Sequence, residues 1–131
     1  AGYASATDIE KALHRLPLDG GGWQRLAYAR AAQDEDMSPA VSPDGRWIAF
    51  QRNVSLADLW RVPVAGGTPE RLTHLRTNIY GLTWTPDSRH LVFSRYRDSR
   101  ILLSVLDLQS GTVRDFPGDA GSVMFPSISR R

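Results

Sequence analysis

An all-β fold assembled from repeated sheet units is what the sequence predicts, and three observations carry it. Ser38-Pro39-Ala40-Val41-Ser42-Pro43-Asp44-Gly45-Arg46-Trp47-Ile48-Ala49-Phe50 returns as Gly81-Leu82-Thr83-Trp84-Thr85-Pro86-Asp87-Ser88-Arg89-His90-Leu91-Val92-Phe93, with Pro43 and Pro86 43 residues apart. Behind each copy runs a second motif, seen three times: Leu13-His14-Arg15-Leu16-Pro17-Leu18-Asp19-Gly20-Gly21, Leu59-Trp60-Arg61-Val62-Pro63-Val64-Ala65-Gly66-Gly67, and a weaker Leu102-Leu103-Ser104-Val105-Leu106-Asp107-Leu108-Gln109-Ser110-Gly111. No stretch carries a convincing helical period. The repeat length matches propeller blades of four strands, which take roughly 40–45 residues each. The chain therefore reads as one β-propeller segment of about three four-stranded antiparallel blades: an incomplete first blade over 1–34, a second over 35–77, a third over 78–118, and over 119–131 the first strand of a further or swapped blade.

The elements follow in chain order. Tyr3-Ala4-Ser5 aligns with Ala49-Phe50-Gln51, so the chain opens on the second strand of a unit. Asp8 to Leu16 is the only weak helical candidate, and its alignment with the later repeats argues strand. Trp23, after a glycine run, is expected at the surface. Ala40-Val41-Ser42 and Leu82-Thr83-Trp84 are short alternating strands that run into Pro-Asp turns, where proline presets φ, aspartate bonds the backbone two residues on, and Gly45 accepts a left-handed conformation. Ser88 at the glycine position is a departure, so the second turn is expected to differ or to carry mild strain. Trp47-Ile48-Ala49-Phe50 and Leu91-Val92-Phe93 are apolar runs too short for helices and rich in β-formers, which reads as strands buried on both faces. Asp58 to Val64 alternates over a Gly66-Gly67 hairpin into Glu70-Arg71-Leu72-Thr73, the most polar strand, as suits the outer edge of a blade. Trp47, Trp60 and Trp84 are expected to pack between blades.

With these residues in view, the chain resembles a family. Ser42-Pro43-Asp44-Gly45-Arg46 with Ile48-Ala49-Phe50, followed by Asp58-Leu59-Trp60-Arg61-Val62-Pro63 and Gly66 to Thr73, is similar to the TolB-type, WD-like β-propeller repeat of many bacterial proteins. The match is strongest over 38–73, good over 79–108 and partial at both ends. The propellers attached to CadC-like winged-helix regulators and to some receptor kinases are nearest in kind. TolB itself and the amino-terminal propellers of prolyl-oligopeptidase-like enzymes share the motif. Such a resemblance implies an architecture and leaves the ligand open, because one fold hosts many unrelated functions.

Composition narrows the function classes. The 131 residues are one domain's length, and 41% hydrophobic content without an apolar run near 18 residues leaves no membrane span. Ala1-Gly2-Tyr3-Ala4-Ser5 lacks the basic start and apolar middle of a secretory signal. With no cysteine, disulfide, thiolate and cysteine-zinc chemistry fall away. A net charge of +2, scattered among acidic residues, makes no basic stripe, so nucleic acid is not expected as a partner of this segment.

The search for catalytic chemistry is negative: no Gly-x-Ser-x-Gly elbow, no His-Glu-x-x-His, no phosphate loop and no EF-hand occurs. His14, His74 and His90 fall at different places in the repeat, which opposes a shared metal. No catalytic residue, metal or cofactor is therefore expected. The one constellation that merits weight lies on the loops entering each first strand, which in a propeller sit at the channel mouth. These carry Asp34, Glu35 and Asp36, then His74, Arg76 and Asn78, then Asp119. A second set on the same mouth includes Arg52, Asn53 and Asp58, with Arg95, Tyr96, Arg97, Asp98 and Arg100, whose arginines invite a carboxylate-bearing partner. The functional reading is a rim that recognises a peptide or polar ligand. The plain alternative is that exposed loops are polar. A calcium site in Asp34-Glu35-Asp36 is opposed by the lack of alternating spacing.

The expectation is a non-catalytic sensory or protein-interaction module of a larger bacterial regulator or envelope protein, periplasmic if the resemblance to the regulators holds. The rival is the gating propeller of a prolyl-oligopeptidase-like serine peptidase whose catalytic domain lies elsewhere; a third possibility is a structural scaffold in an envelope complex. A protein or peptide partner is expected. So is either a longer ring or a homodimer in which two chains close six blades, since closed propellers typically need about 4–8.

Overall fold

The computed structural model describes residues 3–7, 11–54 and 56–116. Every element among them is a strand, in three antiparallel meanders. The first sheet holds β1 (Tyr3–Thr7), β2 (Leu13–Pro17) and β3 (Gln24–Arg25). The second runs β4 (Glu35–Val41), β5 (Trp47–Val54), β6 (Leu56–Pro63) and β7 (Glu70–Arg71), and the third β8 (Ile79–Trp84), β9 (His90–Arg97), β10 (Arg100–Asp107) and β11 (Val113–Asp115). The expected strand over 119–131 lies outside the described residues.

The two Pro-Asp turns are built alike. Gly45 N–H donates to the Ser42 carbonyl, Ser42 Oγ donates to Asp44, Asp44 accepts the Arg46 N–H, and Ser42 Oγ accepts the Trp47 N–H. Ser88 N–H, Thr85 Oγ1, Asp87, Arg89 and His90 repeat each bond in the same order. Of the two outcomes expected at Ser88 the turn does not differ, since the Ser88 φ of +60° reproduces the +76° of Gly45, and the mild strain is that of a residue with a Cβ in the left-handed region. The Ser88 hydroxyl also accepts the Asp44 N–H at 3.1 Å, which ties one turn to the other across blades.

Strands buried on both faces explain the apolar runs. Along β5, Ile48 and Phe50 face the first sheet, where they join Leu13 and Leu26, with Val62 and Val64 of the second sheet. Ala49 faces the third sheet and, with Ala57 and Leu59, packs on Ile79, Trp84, Leu91, Phe93 and Leu106. The period-2 alternation of a strand thus sends successive side chains into two different cores. The tryptophans serve these interfaces: Trp84 is buried and its Nε1 donates to the Ala40 carbonyl of the neighbouring sheet at 2.8 Å, while Trp47 and Trp60 pack against the margins of the two cores. Trp23 is exposed.

Two features depart from expectation. Thr7 stands opposite Leu13 as Gln51 stands opposite Leu59, so β1 does occupy the second-strand position of its sheet, but two residues out of the expected alignment with Ala49-Phe50-Gln51. The first strands are also longer than Ala40-Val41-Ser42 and Leu82-Thr83-Trp84. Each crosses a bulge, at Met37/Ala40 and at Ile79/Leu82, where Ser38 (φ +55°) and Gly81 (φ +142°) hold the extra residue. Beyond its bulge, β4 pairs again, with Glu35 opposite Asn53 and Asp36 opposite Arg52.

Candidate functional site

The inter-sheet connectors and the β5–β6 and β9–β10 hairpins meet at one end of the molecule, as the pairings Glu35 with Asn53 and Ala57 with Thr77 require. Much of the polarity at this end turns inward. Asp36 is fully buried; its carboxylate accepts both prongs of the Arg52 fork, Nε at 2.8 Å and Nη2 at 3.1 Å, and the Tyr28 hydroxyl at 2.6 Å. Asp34 accepts the Ala31 N–H and lies 3.6 Å from Arg52, which also donates to the Ala29 carbonyl. The Arg52 guanidinium stacks 4.7 Å from the Trp60 ring centroid and 5.4 Å from that of Phe50. Burial by itself would lower the Arg52 pKa; the bond and charge of Asp36 override it and raise it. Burial, reinforced by the bond to Asp36, pushes the Tyr28 hydroxyl well above its ordinary value.

Two further carboxylates act in the same way. Asp58, 4% exposed, accepts Thr73 Oγ1 at 2.7 Å, Arg71 Nη2 at 2.8 Å, and the backbone N–H groups of Leu75 and Arg76. It shapes the connector between the second and third sheets and holds Arg76 at φ +47°. Asp115 accepts Arg95 Nη2 at 2.8 Å, Arg97 Nη1 at 2.7 Å and the Ser104 hydroxyl. Burial would raise its pKa, but the bonds from Ser104 and Arg95 prevail and lower it.

The expectation of a displayed rim is therefore corrected for Asp34, Asp36, Arg52, Asp58 and Arg95. All five are buried, because each has a partner of opposite charge within the same sheet or its connector, as Arg95 of β9 has Asp115 reaching across from β11, and an unpaired ion could not be placed there. Glu35 is exposed and pairs with Lys11 at 2.9 Å. His74, Arg76, Asn78 and Arg97 are exposed, Arg97 with its charge against Asp115 and Asp98. Asp119 lies outside the described residues. The sequence reasoning missed Tyr28, Arg71 and Asp115. The signal available for Arg71 was its register, since it stands opposite Trp60, two residues along the strand from Asp58. Among the described residues no group of three or more His, Asp or Glu is placed to hold a metal ion.

Between the β5–β6 hairpin and the connector after β7 lies an open cleft of about 330 Å³, lined by Arg52, Leu56, Asp58, Trp60, Arg71 and Arg76. At the opposite end, His90 lies between Asp107 (3.5 Å from Nε2) and Asp87 (3.9 Å from Nδ1).

No family model matches the chain. Among solved structures it is similar to a TolB-type protein from Agrobacterium tumefaciens, with a TM-score of 0.72 at 25% identity over 95% of this chain and 48% of that one. The fold is that of a TolB-like β-propeller. TolB from Acinetobacter baumannii superposes on this propeller segment with a TM-score of 0.70 at 20% identity, over 91% of the segment and 31% of that chain. Among curated proteins, an uncharacterised protein of Agrobacterium fabrum is 29% identical over 97% of the propeller segment and 46% of its own length. Dipeptidyl-peptidase 5 of Porphyromonas gingivalis is 30% identical over 60% of the segment and 13% of its own length. The TolB-like segment thus spans about half the length of the first relative and a small part of the second.

Proposed function

We propose that this chain is a non-catalytic recognition module, a propeller segment of a larger bacterial regulator or envelope protein that binds a protein or peptide through its connector end. The observation that carries the reading is the division of labour at that end. Asp36 and Asp58 are buried, Asp115 is half-buried, and all three fasten the loops; on this frame His74, Arg76, Asn78 and Arg97 are held out to solvent. Fixing exposed polar groups in advance lowers the ordering cost of binding a partner. A sensory role and a periplasmic location belong to the same proposal. The test is selection of binders from a random peptide library displayed on phage, with a variant carrying His74→Ala, Asn78→Ala and Arg97→Ala as the counter-screen. Binders should be lost on the variant; selection only of peptides that bind both proteins equally would contradict the reading.

A second reading is supported by the similarity to Dipeptidyl-peptidase 5. Here the segment is part of the gating propeller of a serine peptidase. Sequencing the reading frame on both sides of the segment separates the two, since an adjoining α/β-hydrolase domain favours the peptidase.

A further inference from the structure

We infer that the cleft beside Trp60 is a docking site for an acidic, leucine-like peptide segment of a protein partner, with Arg76 as the group that takes its carboxylate; this rests on the recognition reading above. Three arginines and one aspartate line the cleft, but they are not equally available. Arg52 is spent on Asp36 and Asp34, and Asp58 has its acceptor sites filled by Thr73, Arg71, Leu75 and Arg76. The single acid of the cleft therefore cannot serve a ligand as acceptor. What it does is fix two donors at the mouth: it binds Arg71 Nη2 directly, and through the Arg76 N–H it sets the direction in which the Arg76 side chain leaves the backbone. Arg71 Nε donates to the Thr73 carbonyl, and among the described residues its Nη1 has no hydrogen-bond partner. Among the described residues the Arg76 guanidinium has no hydrogen-bond or ion-pair partner, and it is exposed.

The cleft thus offers surplus positive charge in fork geometry, which matches a carboxylate through two parallel N–H bonds. Beside it stand apolar groups: Leu56 is 42% exposed and Trp60 is half-buried with Arg52 against its ring. An extended peptide sends residues i and i+2 to the same side, so a glutamate on Arg76 brings the aliphatic residue two positions along to Leu56 and Trp60. Bare inorganic anions would use the arginines and leave this apolar wall in water. Charge complementarity and the adjoining apolar surface together select an acidic peptide.

The experiment titrates ¹⁵N-labelled protein with acetyl-Glu-Ala-Leu-Ala-amide, with its glutamine counterpart, and with sodium phosphate, following the Trp60 indole and Arg76 side-chain resonances. The acidic peptide should shift both and saturate, and the glutamine peptide should not. Arg76→Gly removes the guanidinium while suiting the left-handed backbone; it should keep the melting temperature and weaken the acidic peptide by about tenfold, the scale of one charge-assisted contact. Equal shifts from the glutamine peptide or from phosphate, or unchanged affinity in a folded Arg76→Gly protein, would overturn the inference. Shifts confined to Tyr96 and Arg97 would overturn the cleft while leaving peptide recognition standing. No perturbation by any peptide would count against both.

Discussion

A buried carboxylate at the connector end is held by what surrounds it, and its removal leaves that surrounding stranded. Deleting Asp36 would leave the Arg52 guanidinium inside with the Asp34 carboxylate 3.6 Å away as its remaining acidic neighbour. Breaking a buried pair from one side typically costs about 3–5 kcal/mol, whereas replacing both members with apolar groups is often near neutral. Asp36→Ala should therefore lower stability by about that amount in urea denaturation, and Asp36→Ala with Arg52→Met should recover part of it, the remainder being the cost of the Asp34 carboxylate left without Arg52. Additive losses in the double variant would mean that the two do not act as a pair. Asp44 is the exposed counterpart. It accepts bonds from Ser42 Oγ and the Arg46 N–H, and the Ser42 bond, the larger cause, holds its carboxyl below the ordinary value of 3.8. Because the folded-state pKa is the lower one, this contribution is present above the ordinary value and is lost as pH falls through the depressed one. Bonds from Thr85 and Arg89 lower Asp87 in the same sense, as bonds from Ser110 and Gln109 do for Asp107. Thermal melts should fall as the pH drops below about 4, and Asp44→Ala, costing about 1 kcal/mol at neutral pH, should show a weaker dependence there.

At the scale of elements, the hairpin after β6 carries the sharpest steric requirement. A side chain on Gly66 (φ +98°) would place its Cβ 2.3 Å from the Ala27 carbonyl oxygen, a backbone atom of the first sheet's connector. Gly67 (φ +121°) has nothing within 4 Å. Gly66→Ala should cost about 2–4 kcal/mol by forcing the sheets apart, and Gly67→Ala only the 1–2 kcal/mol of a left-handed non-glycine residue. Equal melting temperatures for the two variants would contradict the close approach. The Gly66-Gly67 turn itself was legible in the sequence, and so were the strands flanking each Pro-Asp turn, because proline, aspartate and the apolar runs act locally. What distance hides was not legible. Asp36 and Arg52 are 16 residues apart and meet only once the β4–β5 register is set, and that register passes through a bulge at Ser38, a residue with no glycine-like signature. Asp34-Glu35-Asp36 consequently read as a loop, and its buried members as displayed ones. Arg76 was legible as a polar residue of the connector; that Asp58 orients it required the fold.

On the scale of the molecule, three sheets form an arc, and full closure takes about four or more. We propose that a second copy or further blades of a longer protein complete it. Light scattering coupled to gel filtration checks the first option: a dimer at micromolar concentration is expected, and a compact monomer there would reject it. Peptide and ester hydrolysis assays on the isolated chain should give no turnover that depends on one of its own serines.

The second sheet belongs to two cores at once: Ile48 and Phe50 are buried only with the first sheet in place, and Ala49 and Leu59 only with the third. A lone sheet has no interior. Residues 35–77 expressed by themselves should show random-coil circular dichroism, while 35–116 should melt cooperatively, as expected where stability resides in contacts between neighbouring repeats. The stretch of sequence that can be duplicated in one genetic event is therefore half the size of the smallest piece that can fold, so a new copy inserted into such an array survives only by fitting both of its neighbours from the start.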